Sequence, residues 1–196
     1  MLFEIEHNSL YSATKLFFKP EKTLIIMLLH RQFVHVAKKQ ANKTAIIDKT
    51  TGKTVTYSRA LIGALILSRK FNKYEKGFIG IMIPTSAGCA LAAVGALMSG
   101  KIPVMINYST GAEMNAKYAQ KKCKFKTIIT SKTLLEKINC PLIDGMVLIE
   151  DIMAGVTTGD KLKAALMTKL PVNMILNSIH KGDENDTAAI LFTSGS

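Results

Sequence analysis

The stretch 77–100 carries no charged side chain and is bounded by Lys76 and Lys101. Its length is that of a membrane-spanning helix, which needs about 20 apolar residues. Pro84 breaks it in the middle. Proline withdraws a backbone donor, and Ser86, two residues on, is a good N-cap for a helix that follows. The pattern therefore predicts a buried strand over 78–83, a turn, and a buried helix over 86–98 that Gly100 ends. The strand does not alternate polar and apolar residues, which fits burial on both faces. The helix is rich in Ala and Gly, so it can lie close to its neighbours and is expected to be covered on both sides.

The remaining chain repeats this alternation from residue 30 onward. A short helix is predicted over 30–40, a strand over 44–48, a turn at Thr51-Gly52 and a return strand over 54–56. A helix over 57–71 follows, with Tyr57, Leu61, Ala64, Leu65 and Ser68 at helical spacing and Ile62, Ile66 and Leu67 widening the apolar stripe. Strands are predicted over 102–106, 127–130, 146–149 and 187–192, and helices over 112–123, 131–138 and 160–169. The helix over 112–123 carries a stripe of small residues, Ala112, Ala116, Ala119 and Cys123. Strands alternating with helices pair in parallel through right-handed crossovers. The expected fold class is therefore α/β, a mostly parallel sheet with helices on both faces. Residues 1–29 lack a pattern and read as an N-terminal arm; 30–196 read as one domain.

Composition narrows the function classes. Cys89, Cys123 and Cys140 are widely spaced, with no Cys-x-x-Cys pair, and His7, His30, His35 and His180 have no metal-ligand spacing. Reduced thiols, no metal site and a cytoplasmic location are expected. The first residues carry Glu4 and Glu6 and lack the basic start and apolar run of a signal peptide. The formal net charge of +12 favours acidic partners.

The last predicted strand runs into Thr193-Ser194-Gly195-Ser196. Small hydroxyl residues and glycine directly after a buried strand suit a phosphate-binding loop: glycine lets the backbone turn and present its N–H groups, and hydroxyls add donors without bulk. Ligands of open α/β sheets collect at the carboxyl ends of the strands, where this loop falls. These four residues are the candidate cofactor-binding site, and no catalytic residue is assigned.

Several segments carry a resemblance. Ala189-Ile190-Leu191-Phe192-Thr193-Ser194-Gly195-Ser196 resembles the start of the signature loop of the AMP-forming adenylating superfamily, which includes acyl-CoA synthetases, luciferases and peptide-synthetase adenylation domains. Thr54-Val55-Thr56-Tyr57, the segment from Gly95 to Val104 and the unit from Lys126 to Leu135 are similar to the family's parts and fall in its order. Pro103-Val104-Met105-Ile106-Asn107-Tyr108, Lys126-Thr127-Ile128-Ile129-Thr130-Ser131, Ile149-Glu150-Asp151 and Val156-Thr157-Thr158 resemble the synthetase half of the bacterial acyl-acyl carrier protein synthetase/2-acylglycerophosphoethanolamine acyltransferase family. The resemblance covers about 30–196 and implies the N-terminal subdomain of the AMP-binding synthetase fold. It also implies ATP and Mg as cofactors, a fatty acid as substrate, acyl carrier protein or coenzyme A as acceptor, and phospholipid acyl repair at the inner membrane. In that family the loop continues into a Gly and a Pro-Lys pair. A chain ending at Ser196 is expected to be an inactive N-terminal fragment that binds ATP weakly.

Between Met114 and Leu135 there is no acidic residue, while Lys117, Lys121, Lys122, Lys124, Lys126 and Lys132 are present. Lys117, Lys121 and Lys124 are expected on one helix face, opposite the alanines. The face suits an acidic protein or an anionic membrane surface, or is simply solvated. Only Tyr118 and Phe125 interrupt it, too few aromatics for nucleic acid. The alternative to an acyl-activating ligase is a non-catalytic basic α/β binding module.

Overall fold

The computed structural model describes residues 28–49 and 51–192. The expected N-terminal arm, apart from Leu28 and Leu29, lies outside the described residues, as do Thr193, Ser194, Gly195 and Ser196.

The chain enters with helix α1 (Leu29–Lys39) and an antiparallel hairpin of β1 (Thr44–Asp48) and β2 (Lys53–Thr56). The Thr56 side chain caps helix α2 (Tyr57–Phe71) by accepting the N–H of Arg59. Then come β3 (Gly77–Met82), α3 (Ala87–Met98), β4 (Lys101–Met105), α4 (Ala112–Cys123), β5 (Ile128–Thr130) and α5 (Lys132–Lys137). The chain continues through β6 (Met146–Leu148), α6 (Ile149–Ala154), α7 (Thr158–Met167), α8 (Val172–Asn177) and β7 (Ile190–Leu191). Strands β3 to β7 form one sheet in the order β6-β5-β3-β4-β7, and every neighbouring pair is parallel.

Helices cover both faces, as the alternation predicts. On one face Met82, Val104, Ile128 and Met146 pack against the alanine stripe of α4 and against Leu134 and Leu135 of α5. On the other, Ile79, Ile81 and Ile129 pack against Leu67 and Phe71 of α2, Ala92 and Ala96 of α3, and Ile152 of α6. A second helical layer lies over α2, whose Leu61 and Leu65 meet Val34 of α1, Ala164 of α7 and Ile175 of α8. The wide apolar stripe of α2 thus serves two interfaces. Each fully buried side chain such as Phe71 or Ile79 contributes about 1.5–3 kcal/mol by leaving water.

The uncharged stretch folds into the predicted strand, turn and helix. Residues 79–82 are all buried, the Ser86 hydroxyl accepts the N–H of Cys89, and Gly100 ends the helix region with φ +74. Among the described residues no helix is long and apolar enough to cross a membrane.

Four expectations need correction. Helix α3 is not covered on both sides: Gly88 and Ala90 are exposed. Ile149 leaves β6 and starts α6, because Glu150 and Asp151 favour a helix N-terminus over a strand. The last strand is Ile190–Leu191 rather than all of 187–192, and α8 went unpredicted because its six residues after Pro171 are too few to repeat a helical pattern. Lys124 does not share a helix face with Lys117 and Lys121. It is the C-cap of α4, in left-handed backbone with φ 53.

Candidate functional site

The carboxyl edge of the sheet is where the sequence points. Strand β3 runs out into Ile83-Pro84-Thr85-Ser86 and returns through α3 on one face, while β4 runs out into Ile106-Asn107-Tyr108 and returns through α4 on the other. Adjacent strands whose connections part to opposite faces leave a crevice between their ends, the usual ligand position in open α/β sheets.

Short polar residues fix the loops at these strand ends. The Asn107 side-chain oxygen accepts the backbone N–H of Ser109 at 2.9 Å and its hydroxyl at 2.8 Å. From α4, the Asn115 amide donates to the carbonyls of Asn107 at 3.0 Å and Thr110 at 2.7 Å. Gly111, with φ +61, starts the helix that supplies Asn115. On the β3 side, the buried Asp48 carboxylate accepts the N–H of Thr51 at 3.1 Å and that of Ala87, the first residue of α3, at 3.0 Å. An acidic group there also complements the positive end of the helix dipole. The Thr130 hydroxyl donates to the Met82 carbonyl at 2.9 Å, tying β5 to β3 in the buried sheet.

Strand β7 joins the sheet beside β4, with Val104 opposite Ile190 and Met105 opposite Leu191. The ring of Phe192 then meets Tyr118 of α4 edge-on at 5.5 Å. The candidate residues Thr193, Ser194, Gly195 and Ser196 follow directly in the chain and lie outside the described residues. Sequence reading missed Asp48, Asn107, Asn115 and Tyr118. The tract Asn107-Tyr108-Ser109-Thr110-Gly111 after a strand was a usable signal for an Asn-centred turn. Nothing local betrays that Asp48 reaches α3.

The amino edge holds most of the perturbed charges. Burial alone would push the Glu75 carboxyl up, but hydrogen bonds from the Thr127 hydroxyl, the Thr127 N–H and the Lys126 N–H hold it below the usual carboxylate range. Burial pushes the Lys101 ammonium down, opposed by the charge of Glu75, and its Nζ donates to the Tyr74 carbonyl at 3.2 Å. Burial likewise lowers His30, whose Nε2 lies 2.9 Å from the His180 carbonyl oxygen. Glu75 ties the loop before β3 to that before β5, Lys101 ties the start of β4 to the loop before β3, and His30 ties α1 to the segment before β7, so their shifts are structural. On the helical layer, Asp160 is lowered to about 2 by the hydrogen bond from Lys70 and by its place in the capping box with Thr157. Among the described residues no three of His, Cys, Asp and Glu are grouped to hold a metal ion.

Comparison with known proteins gives a family and a fold. The family model described as AMP-binding enzyme matches residues 33–196. The structure is similar to the N-terminal domain of FACL13 from Mycobacterium tuberculosis, at 14% identity and TM-score 0.55 over 67% of this chain and 37% of that one. It is similar to a benzoate CoA ligase from Burkholderia xenovorans, at 19% identity and TM-score 0.55 over 67% of this chain and 29% of that one. It is similar also to the nonribosomal peptide synthetase FmoA3 in its AMPPNP-bound form, at 15% identity and TM-score 0.59 over 70% of this chain and 15% of that one. At these identities the likeness is one of fold, and the matched part is well under half of each of those proteins.

Proposed function

The chain belongs to the AMP-binding enzyme family, and from that membership we propose that it is the N-terminal portion of an ATP-dependent acyl-activating ligase. The reaction is attack of a fatty-acid carboxylate on the α-phosphorus of ATP. The bond to the β-phosphate oxygen breaks, pyrophosphate leaves with its electron pair, and an acyl-adenylate forms. The thiol sulfur of acyl carrier protein then attacks the acyl carbonyl, the bond to the phosphate oxygen breaks, AMP leaves with its electron pair and the thiol proton is released, in phospholipid acyl repair on the cytoplasmic side of the inner membrane. Fatty acid over aromatic acid, and carrier protein over coenzyme A, rest on the resemblance of 103–108, 126–131, 149–151 and 156–158 to the acyl-acyl carrier protein synthetase family.

The observation that supports this reading is the register of β7. It pairs with β4 up to Leu191, beside the crevice between β3 and β4, and the next residues after Phe192 are Thr193, Ser194, Gly195 and Ser196. In the proposed role their N–H and hydroxyl groups donate to phosphate oxygens, and Gly195 leaves room for them. Bound magnesium would supply positive charge to offset the phosphates. Among the described residues no three of His, Cys, Asp and Glu are grouped to hold it.

The test is carboxylate-dependent exchange of pyrophosphate into ATP by the protein at its full encoded length. Long-chain fatty acid is expected to support exchange and benzoate is not. Gly195→Val is expected to lower exchange by at least about a hundredfold, the scale of losing one phosphate or oxyanion donor. Exchange unchanged by Gly195→Val would overturn the assignment of the loop.

A further inference from the structure

We infer that Asn115 and Asn107 are positioning residues for the phosphate loop: together they end the pairing of β4 with β7, so that the N–H of Ser194 stays free for a ligand. The inference rests on the adenylation reading for the identity of that ligand, an oxygen of the ATP phosphates. Strands β4 and β7 run parallel, with Val104 beside Ile190 and Met105 beside Leu191. The side chains keep this register one step further. Val104, Ile106, Ile190 and Phe192 all pack into the core beneath α4, as alternate residues of two neighbouring strands do. Carried on by one residue, the register sets Asn107 beside Thr193. Thr193 and Ser194 lie outside the described residues, and their place here is inferred from that register.

Backbone groups decide what happens at that step. Along a strand between two parallel neighbours, successive residues direct their N–H and carbonyl to opposite sides. The Ile106 N–H donates to the Ile81 carbonyl of β3 at 3.0 Å. The carbonyl of Asn107 is therefore the next to face β7. In a continued parallel ladder it would accept the N–H of the residue after Thr193, which is Ser194.

That carbonyl is already held from another side. Asn115 of α4 donates through Nδ2 to the Asn107 carbonyl at 3.0 Å and to the Thr110 carbonyl at 2.7 Å. A side-chain amide has two N–H donors, and here each has its own carbonyl. The Asn107 side chain closes the turn from within, its oxygen accepting the Ser109 N–H at 2.9 Å and the Ser109 hydroxyl at 2.8 Å. The N–H of Asn115 is bonded to the Gly111 carbonyl at 2.9 Å, which fixes the donor one helical turn above the loop. The chain is thus drawn toward α4 and away from β7. The ladder stops, and Ser194 keeps a donor at the carboxyl edge, beside the crevice between β3 and β4. A phosphate oxygen suits such a donor, because hydrogen bonds to an ionised acceptor are the strong ones. The two asparagines do different work: Asn115 acts as a donor and Asn107 as an acceptor.

The test is amide hydrogen exchange by NMR together with pyrophosphate exchange, on the protein at its full encoded length. Without nucleotide the Ser194 N–H is expected to exchange near the unprotected rate, and ATP is expected to slow it at least about tenfold, the scale of one hydrogen bond to a charged group. This measurement needs no variant, so it stands even if the altered proteins fold poorly. Asn115→Asp keeps the shape but loses both donors. It is expected to slow nucleotide-free exchange at Ser194 by about threefold or more, because the Asn107 carbonyl returns to the ladder. A merely structural role predicts the reverse, since a loosened turn speeds exchange. The same change is expected to raise the KM for ATP about tenfold or more, and to lower kcat by less than about threefold. Asn107→Asp still accepts both bonds from Ser109 and is expected to hold the KM within about threefold, whereas Asn107→Ala is expected to raise it as Asn115→Asp does. Strong protection of Ser194 without nucleotide would overturn the inference. So would faster Ser194 exchange or an unchanged KM in Asn115→Asp. Protection of Ser194 by ATP in a protein that exchanges no pyrophosphate with any carboxylate would support the positioning role and overturn the adenylation reading alone.

Discussion

Tyr118 of α4 meets Phe192 edge-on, with ring centroids 5.5 Å apart and planes at 73°. The helix that covers one face of the sheet therefore also holds the residue that precedes Thr193. Edge-to-face pairs are worth about 0.5–1.5 kcal/mol beyond their buried area. Tyr118→Ala is expected to raise amide exchange at Leu191 and Phe192 by about three- to tenfold, while Tyr118→Phe keeps the ring and leaves exchange near its original rate. Exchange by mass spectrometry or NMR checks this, and equal rates in all three proteins would show that the contact does not hold the strand exit.

Gly95 is where α2 and α3 touch. A Cβ there would lie 2.9 Å from Leu67 Cβ, 3.2 Å from the Ser68 nitrogen and 3.3 Å from the Ala64 carbonyl oxygen. Two of these are backbone atoms that cannot turn aside. Alanine gains about 1 kcal/mol in helix propensity over glycine, and overpacking costs about 1–3 kcal/mol. We expect Gly95→Ala to destabilise the fold by up to about 2 kcal/mol, the overpacking cost less the propensity gain. Gly88 in the same helix is exposed, and its nearest neighbour would be the Ser86 hydroxyl at 3.7 Å. Gly88→Ala is expected to stabilise by about 0.5–1 kcal/mol. Urea unfolding of the two variants decides the matter.

Glu75 accepts from the Lys126 N–H at 2.8 Å, and from the Thr127 N–H and hydroxyl at 2.6 Å each. Glu75→Ala strips these donors of their partner, and we expect a loss of about 1–3 kcal/mol. The carboxyl is held below its ordinary 4.5, so its contribution is fully present above that value and is lost as pH falls through the lower folded value. Unfolding midpoints measured down the acid limb should fall less steeply for Glu75→Gln than for the unaltered chain. Parallel acid limbs would count against this clamp.

His30 titrates with the same sense for a different reason. Burial disfavours its charged form and holds it below its ordinary 6.5, outweighing the hydrogen bond to the His180 carbonyl. Its ring stacks on that of His180 at 6.2 Å, and Asp186 lies 3.9 Å from His180 Nε2. The unfolded chain takes up a proton first, so stability is full above 6.5 and declines as pH drops through 6.5 toward the folded value. We expect His30→Gln to flatten that decline, measured by thermal unfolding across about pH 5 to 8. An unchanged slope would place the decline on other groups.

Local pattern was enough for most of the framework. Helices α2 and α4 fall on the predicted residues because their apolar and small positions repeat every three or four residues on one face. Strand β3 reads as buried on both faces because nothing polar interrupts Ile79-Gly80-Ile81-Met82. Short elements were the weak point. Helix α8 has six residues and no side-chain cap, and β7 pairs through only two residues, so each is too short to repeat its pattern.

By itself the sequence determined the alternation of strands and helices, the turn at Pro84 that excludes a membrane span there, and the small-residue tract after the last strand. These depend on propensities and periods within a few residues. The tertiary structure decided the strand order β6-β5-β3-β4-β7, and with it the placing of β7 beside the β3–β4 crevice. It also decided that Asp48 reaches Ala87 and Asn115 reaches Asn107, pairs that are 39 and 8 residues apart. It ended α4 at Lys124, turning that lysine off the face that Lys117 and Lys121 share. Such contacts are set by which surfaces bury together once loops have closed, and burial between distant segments leaves no periodic trace along the chain.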